Sequence, residues 1–116
     1  MPRRFVFVYN ADGGLWNLLQ DAAHKVLRPS TYPCSLCALT YGALGMKRSW
    51  ARVVRSLPGE VVFLHKDETR FGAWPGPLPA VLEVIDGAMI ERIGAPELDA
   101  LRDLDALVAL VRARLI

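Results

Sequence analysis

The sequence contains few of the residues that carry thiol, imidazole or metal chemistry. Its 116 residues include two cysteines, Cys34 and Cys37, and two histidines, His24 and His65. In a reducing compartment, so small a number of cysteines is typical of a metal-binding or redox-active pair rather than of a permanent structural disulfide. The spacing Cys-x-x-Cys allows the two thiols to close one disulfide or to hold one metal ion.

Long apolar segments are also absent from the sequence. After the basic start Met1-Pro2-Arg3-Arg4, only residues 5–9 form an apolar run. A secretory signal needs roughly 7–15 apolar residues and a membrane-spanning helix about 20. We therefore expect a cytoplasmic protein with no membrane partner.

Several common catalytic motifs are missing. Asp12-Gly13-Gly14 lacks the Gly-Lys-Ser/Thr ending of a phosphate-binding loop, and no serine stands in a Gly-x-Ser-x-Gly pattern. The net charge of +2 and the pI of about 8.7 are too mild to indicate a nucleic-acid partner. These absences argue against a nucleotide hydrolase, a serine hydrolase of that class and a nucleic-acid-binding protein.

What the chain does have is apolar content sufficient for one core. Hydrophobic residues make up 53% of the sequence, and the mean hydropathy is +0.24. At this length, residues 1–116 are expected to form a single domain, and the apolar surplus leaves room for a homodimer contact.

The patterning predicts alternating helices and strands. Continuous apolar runs at 5–9 and 61–65 predict strands covered on both faces, and apolar stripes predict helices at 15–27, 46–57 and 98–115. Residues 69–79 are rich in proline and glycine and predict a loop. Asp86-Gly87 predicts a two-residue turn between strands 80–85 and 88–93. The second helix carries a basic face, Lys47, Arg48, Arg52 and Arg55, which is either solvated or a docking site for an acidic partner.

This order of elements resembles the thioredoxin-like superfamily. The resemblance implies one α/β domain with a central four-stranded mixed sheet flanked by helices. In that family a proline, usually cis, opens the strand that begins the hairpin, and Pro79 matches that position. The family places its Cys-x-x-Cys directly after the first strand, whereas Cys34 and Cys37 come about one helix later.

The chain also resembles a group of small uncharacterised bacterial proteins. The similarity lies in Val8-Tyr9-Asn10-Ala11-Asp12, in residues 30–42 (STYPCSLCALTYG) and in residues 63–68 (FLHKDE). It implies that these three segments are the working parts, and it implies no particular reaction.

Redox chemistry is the first of three functional hypotheses. A helical turn beginning near Ser35 would favour the thiolate of Cys34, and Cys37 would resolve the mixed disulfide. His65 ends a strand at the carboxyl edge of the sheet, where α/β proteins build their sites, and His65 or Asp67 would accept a proton there. With Pro79, these are the candidate catalytic residues, and the partner is a protein or small-molecule thiol or disulfide.

The other two hypotheses need no redox step. Cys34, Cys37, His24 and His65 together have the ligand types of a tetrahedral zinc site, and the thiolates also suit Cu(I), with Asp67 or Glu68 able to replace one histidine. Their spacing fits no compact zinc-finger pattern. The third hypothesis is a noncatalytic thioredoxin-like interaction domain.

Overall fold

The protein forms a four-stranded sheet with helices. The computed structural model describes residues 3–10, 35–42 and 45–116. The strands are β1 (Arg3–Tyr9), β2 (Tyr41–Gly42), β3 (Gly45–Met46), β4 (Gly59–His65), β5 (Ala80–Ile85) and β6 (Ala88–Ile93), and the helices are α1 (Ser35–Thr40), α2 (Arg48–Ser56), α3 (Ala95–Asp99) and α4 (Leu104–Leu115). The helix predicted at 15–27 falls outside the described residues.

The sheet is mixed and has the strand order β4-β1-β5-β6. Strand β1 pairs with β4 in parallel and with β5 in antiparallel orientation, and β5 and β6 form an antiparallel hairpin. The predicted α/β class, the four strands and the mixed sheet are therefore confirmed. The short ribbon of β2 and β3 was not predicted.

Alternation along β1 divides the core into two apolar clusters. The Tyr9 face carries Phe5, Phe7 and Tyr9 of β1 together with Val61, Phe63, Val81 and Ile93 of the other strands. The Val8 face carries Val6, Val8, Val62, Leu64, Ala80 and Leu82. Because both faces are buried, β1 reads as an unbroken apolar run.

All of the described helices pack on the Tyr9 face. Their buried residues there are Leu36 and Cys37 of α1, Trp50 and Val53 of α2, Leu98 of α3, and Leu107, Val111 and Leu115 of α4. The Val8 face is contacted by Phe71, Trp74 and Leu78 from the loop between β4 and β5. Over residues 3–10, 35–42 and 45–116, no helix has the length and apolar character needed to cross a bilayer.

Two turns show why particular residues stand where they do. Asp86 and Gly87 have φ angles of 50° and 81°, which is the pair of positive values that the predicted hairpin turn requires. Gly59 allows β4 to begin against β1, because a Cβ atom there would lie 2.4 Å from the Arg3 carbonyl oxygen.

The prediction of one continuous helix over 98–115 is wrong. The chain forms two helices, α3 and α4, and leaves the helical conformation between them. Asp103 has an extended backbone (φ −151°), and its carboxylate accepts a hydrogen bond from the Ala106 amide at 2.8 Å. This side chain caps a new helix, and capping at an interior position ends the periodic stripe that predicted one helix.

Candidate functional site

The carboxyl end of β1 brings three sheet positions together. Tyr9 is the register partner of His65 on β4, and Val8 is the partner of Ala80 on β5, so Pro79 precedes β5 beside Tyr9. By alternation, His65 follows Phe63 on the Tyr9 face, and Pro79 stands two residues before Val81 of the same face. The expected convergence of His65 and Pro79 at this edge is confirmed.

Pro79 has the environment and the peptide geometry that the sequence predicted. The Leu78–Pro79 bond is cis, and Pro79 is buried. It lies next to the carboxyl end of β1, and β4 ends on the other side of β1.

Cys37 lies on the helix that covers this edge. The helical turn expected after Cys34 is present as α1, which begins at Ser35. The Cys37 side chain is 0% exposed and belongs to the same buried cluster as Tyr9, Leu36 and Tyr41. At the start of the helix, the Ser35 hydroxyl donates to the Asp99 carboxylate at 2.6 Å and ties α1 to α3.

A buried hydrogen-bond chain connects α1 to the sheet. The Thr40 hydroxyl donates to the Leu36 carbonyl at 2.7 Å, and its oxygen lies 2.9 Å from the Tyr9 hydroxyl. Because Thr40 has one hydroxyl proton and gives it to Leu36, Tyr9 is the donor in the second bond. The Tyr9 ring also meets Tyr41 edge-on, with centroids 5.8 Å apart. The sequence indicated only that Tyr9 belongs to a strand, and it gave no sign that the Tyr9 hydroxyl bonds to Thr40.

Glu68 is the charged partner of His65. Its carboxylate lies 3.3 Å from His65 Nε2, and it also accepts a hydrogen bond from the His65 amide at 3.4 Å. Arg70 lies 3.5 Å from the other carboxylate oxygen, so Glu68 stands between an imidazole and a guanidinium. Asp67, the other candidate proton acceptor, is exposed in the adjacent turn. The spacing of His65 and Glu68 in the sequence indicated this contact, since a turn after the end of a strand brings residues three apart together.

Two of the candidate site residues, His24 and Cys34, fall outside the described residues. The proposed four-ligand metal site therefore has only Cys37 and His65 in the described part of the chain. Within that part, no group of three or more histidine, cysteine, aspartate or glutamate side chains is arranged to hold a metal ion.

A small apolar cavity lies on the Val8 face near Glu68. It has a volume of about 60 Å³, and Trp74, Leu78 and Met89 are among the side chains that line it, with Glu68 also in its wall. It is too small for a nucleotide-sized cofactor.

Comparison with known proteins finds no matching family model, no matching curated protein and no matching solved structure. The function therefore has to be inferred from the residues at the carboxyl edge.

Proposed function

We propose that this is a thioredoxin-like cytoplasmic protein that exchanges electrons with disulfides through Cys34 and Cys37. Its partner is a protein or small-molecule thiol or disulfide. The observation that carries the proposal is that α1, the helix that holds the buried Cys37, is hydrogen-bonded through Thr40 to Tyr9 at the carboxyl end of β1, where His65 is the register partner of Tyr9.

The sheet supports the thioredoxin-like assignment. A parallel pair, β1 and β4, is followed by an antiparallel hairpin, β5 and β6, that attaches to β1, and a helix ends the chain. Pro79 stands directly before β5, where the superfamily has its proline. Both features are compatible with that fold, although the cysteine pair comes later in the chain than the family pattern requires.

The chemistry is a two-electron exchange. The Cys34 thiolate attacks one sulfur of the partner disulfide, which forms a mixed disulfide and releases the first partner sulfur as a thiolate. Cys37 then loses its proton and attacks the Cys34 sulfur, which closes the Cys34–Cys37 disulfide and releases the second partner thiolate. A buried thiol needs a nearby base for this step, and His65, whose imidazole contacts Glu68, lies on the same sheet face.

The test is a glutathione redox titration in which both cysteines are followed by alkylation. We expect one cooperative two-electron transition that is lost in Cys34→Ser and in Cys37→Ala. Ser35→Ala is the matched control, because it changes the residue next to Cys34, keeps both thiols and should retain the transition. The proposal would be contradicted if each thiol formed its own mixed disulfide with glutathione and no Cys34–Cys37 disulfide appeared.

The metal-binding alternative gives a different result in the same preparation. Protein purified under reducing conditions would then contain one equivalent of zinc or copper, and its thiols would resist alkylation until a chelator is added. Loss of the metal in His24→Ala and His65→Ala would identify the remaining ligands and would replace the redox proposal.

A further inference from the structure

The arginines of the described residues fall into two groups. Arg3, Arg4, Arg70, Arg92 and Arg114 each lie within 4.0 Å of a carboxylate. Arg48, Arg52, Arg55, Arg102 and Arg112 form no ion pair with any carboxylate in the part of the chain that the structure describes. Of this second group, three lie on α2 and one lies on α4, the helix that packs beside it.

The α2 arginines form one exposed stripe. Arg48, Arg52 and Arg55 are spaced i, i+4 and i+7, so they follow one side of the helix over about 10 Å at 1.5 Å per residue. Like charges at this spacing repel each other, and a cation in the first turn opposes the helix dipole. No acidic residue stands in that first turn. Arg55 lies in the last turn, where the dipole favours a cation, so the unfavourable contributions are those of Arg48 in the first turn and of the repulsion along the stripe.

The neighbouring helix α4 differs from α2 at its start. Asp103 caps it, Asp105 lies in its first turn, and Arg112 and Arg114 lie in its last turn. This distribution is the one that the helix dipole favours. Helix α2 shares the basic last turn but has Arg48 in its first turn, and an unfavourable charge at an exposed position is expected where that charge serves binding.

A groove of about 360 Å³ runs between α2 and α4 beside the stripe. Arg52 and Arg112 stand on its two walls, and the apolar side chains Val53, Leu104 and Val108 also line it. Asp105 and Ser56 also line the groove.

We propose that this groove and the α2 stripe bind an acidic amphipathic segment of a partner protein. Carboxylates of the segment pair with Arg48, Arg52 and Arg112, and its apolar side chains cover the half-buried Leu104 and Val108. Asp105 disfavours a continuous polyphosphate in the groove, and none of the described residues that line it has an aromatic ring on which a base could stack. This inference is independent of the dithiol chemistry.

The test measures binding of a fluorescent peptide in which pairs of glutamates flank two leucines, by anisotropy at near-physiological salt. The variant Arg48→Gln/Arg52→Gln should bind about tenfold more weakly, since two ion pairs are lost. The matched control Lys66→Gln/Arg102→Gln removes the same charge from two other exposed sites and should bind like the parent protein.

Three results would overturn the proposal. If the control variant lost as much affinity for the peptide, the effect would come from net charge and not from this surface. If a peptide with serines in place of the leucines bound equally well, the apolar side chains of the groove would not contribute to binding. Tighter binding of polyuridylate, of phosphatidylserine vesicles or of a second copy of this protein, lost in Arg48→Gln/Arg52→Gln, would assign the surface to another partner.

Discussion

Glu83 accepts two hydrogen bonds from Arg3 on the neighbouring strand, at 3.0 and 3.1 Å, and a third from Arg92 at 3.1 Å. The glutamate is 3% exposed, although it lies on a strand otherwise buried with apolar residues. The hydrogen bonds from Arg3 lower the pKa of Glu83, and the nearby charges and Arg92 add to this effect against the opposing influence of burial. The carboxylate is therefore buried in a compensated form.

This geometry predicts a stability change in acid. Because the folded pKa of Glu83 lies below its ordinary value of 4.5, its contribution is fully present above that pH and is lost as the pH falls through the folded pKa. Urea unfolding from pH 7 downward should show this loss in the parent and less of it in Glu83→Gln.

At neutral pH we expect Glu83→Gln to lower the free energy of unfolding by about 1–3 kcal/mol, because both guanidiniums lose their buried charge partner but remain partly solvated. Glu60→Gln is the matched control. It removes the carboxylate from the exposed Arg4–Glu60 pair and should cost less than about 0.5 kcal/mol. Equal effects of the two changes would contradict the role given to Glu83.

The Tyr9–Thr40 bond predicts a measurable coupling between β1 and α1. Tyr9→Phe removes the donor while Thr40 keeps its bond to Leu36, and the expected cost is about 1 kcal/mol. Thr40→Val should cost more, since it leaves the buried tyrosine hydroxyl without this acceptor. A double-mutant cycle by chemical denaturation should give a coupling of about 0.5–1.5 kcal/mol, and a value near zero would show that the bond contributes nothing.

The packing of α4 predicts a large loss of stability when Leu107 is truncated. Its side chain is 0% exposed in the cluster on the Tyr9 face, so Leu107→Ala should lower the free energy of unfolding by about 2–5 kcal/mol. Ile116 at the end of the chain is 65% exposed, and Ile116→Ala should change it by less than about 0.5 kcal/mol. Thermal and urea unfolding of both variants measure the difference.

The unfavourable charge at the start of α2 predicts a stabilising substitution. Arg48→Glu places an anion in the first helical turn and should raise the free energy of unfolding by roughly 0.3–1 kcal/mol. Arg112→Glu is the contrasting control, because it puts an anion in the last turn of α4 and should destabilise the protein. The comparison fails if Arg48→Glu is the more damaging of the two.

The hairpin and the strands follow from local pattern. Asp86-Gly87 predicted the turn with both strand boundaries, since few residues adopt two successive positive φ angles. Two-sided burial made β1 and β4 continuous apolar runs, and Trp50 and Val53 lie inward on α2 as the helical period requires. Asp103 shows the limit of periodicity, because its local capping bond divides a stripe that remains apolar throughout.

The candidate site was only partly readable from the sequence. Parallel strands end at one edge, so the position of His65 and Pro79 along the same edge, on either side of β1, followed from the predicted order of elements. The contact of His65 with Glu68 depends on the turn that follows β4, and the carboxylates of Asp67 and Glu68 look alike in a sequence.

The strands of the central sheet, the hairpin turn and the chemistry available to the site follow from the sequence, because they depend on residue types and on spacings of a few residues. The tertiary structure alone decided which groups meet. Arg3 and Glu83 are 80 residues apart, and the Tyr9 hydroxyl reaches Thr40 across 31 residues. The requirement for glycine at position 59 likewise comes from the approach of β1. Such contacts arise from sheet register and helix packing, to which every element contributes, and no local window of the sequence contains them.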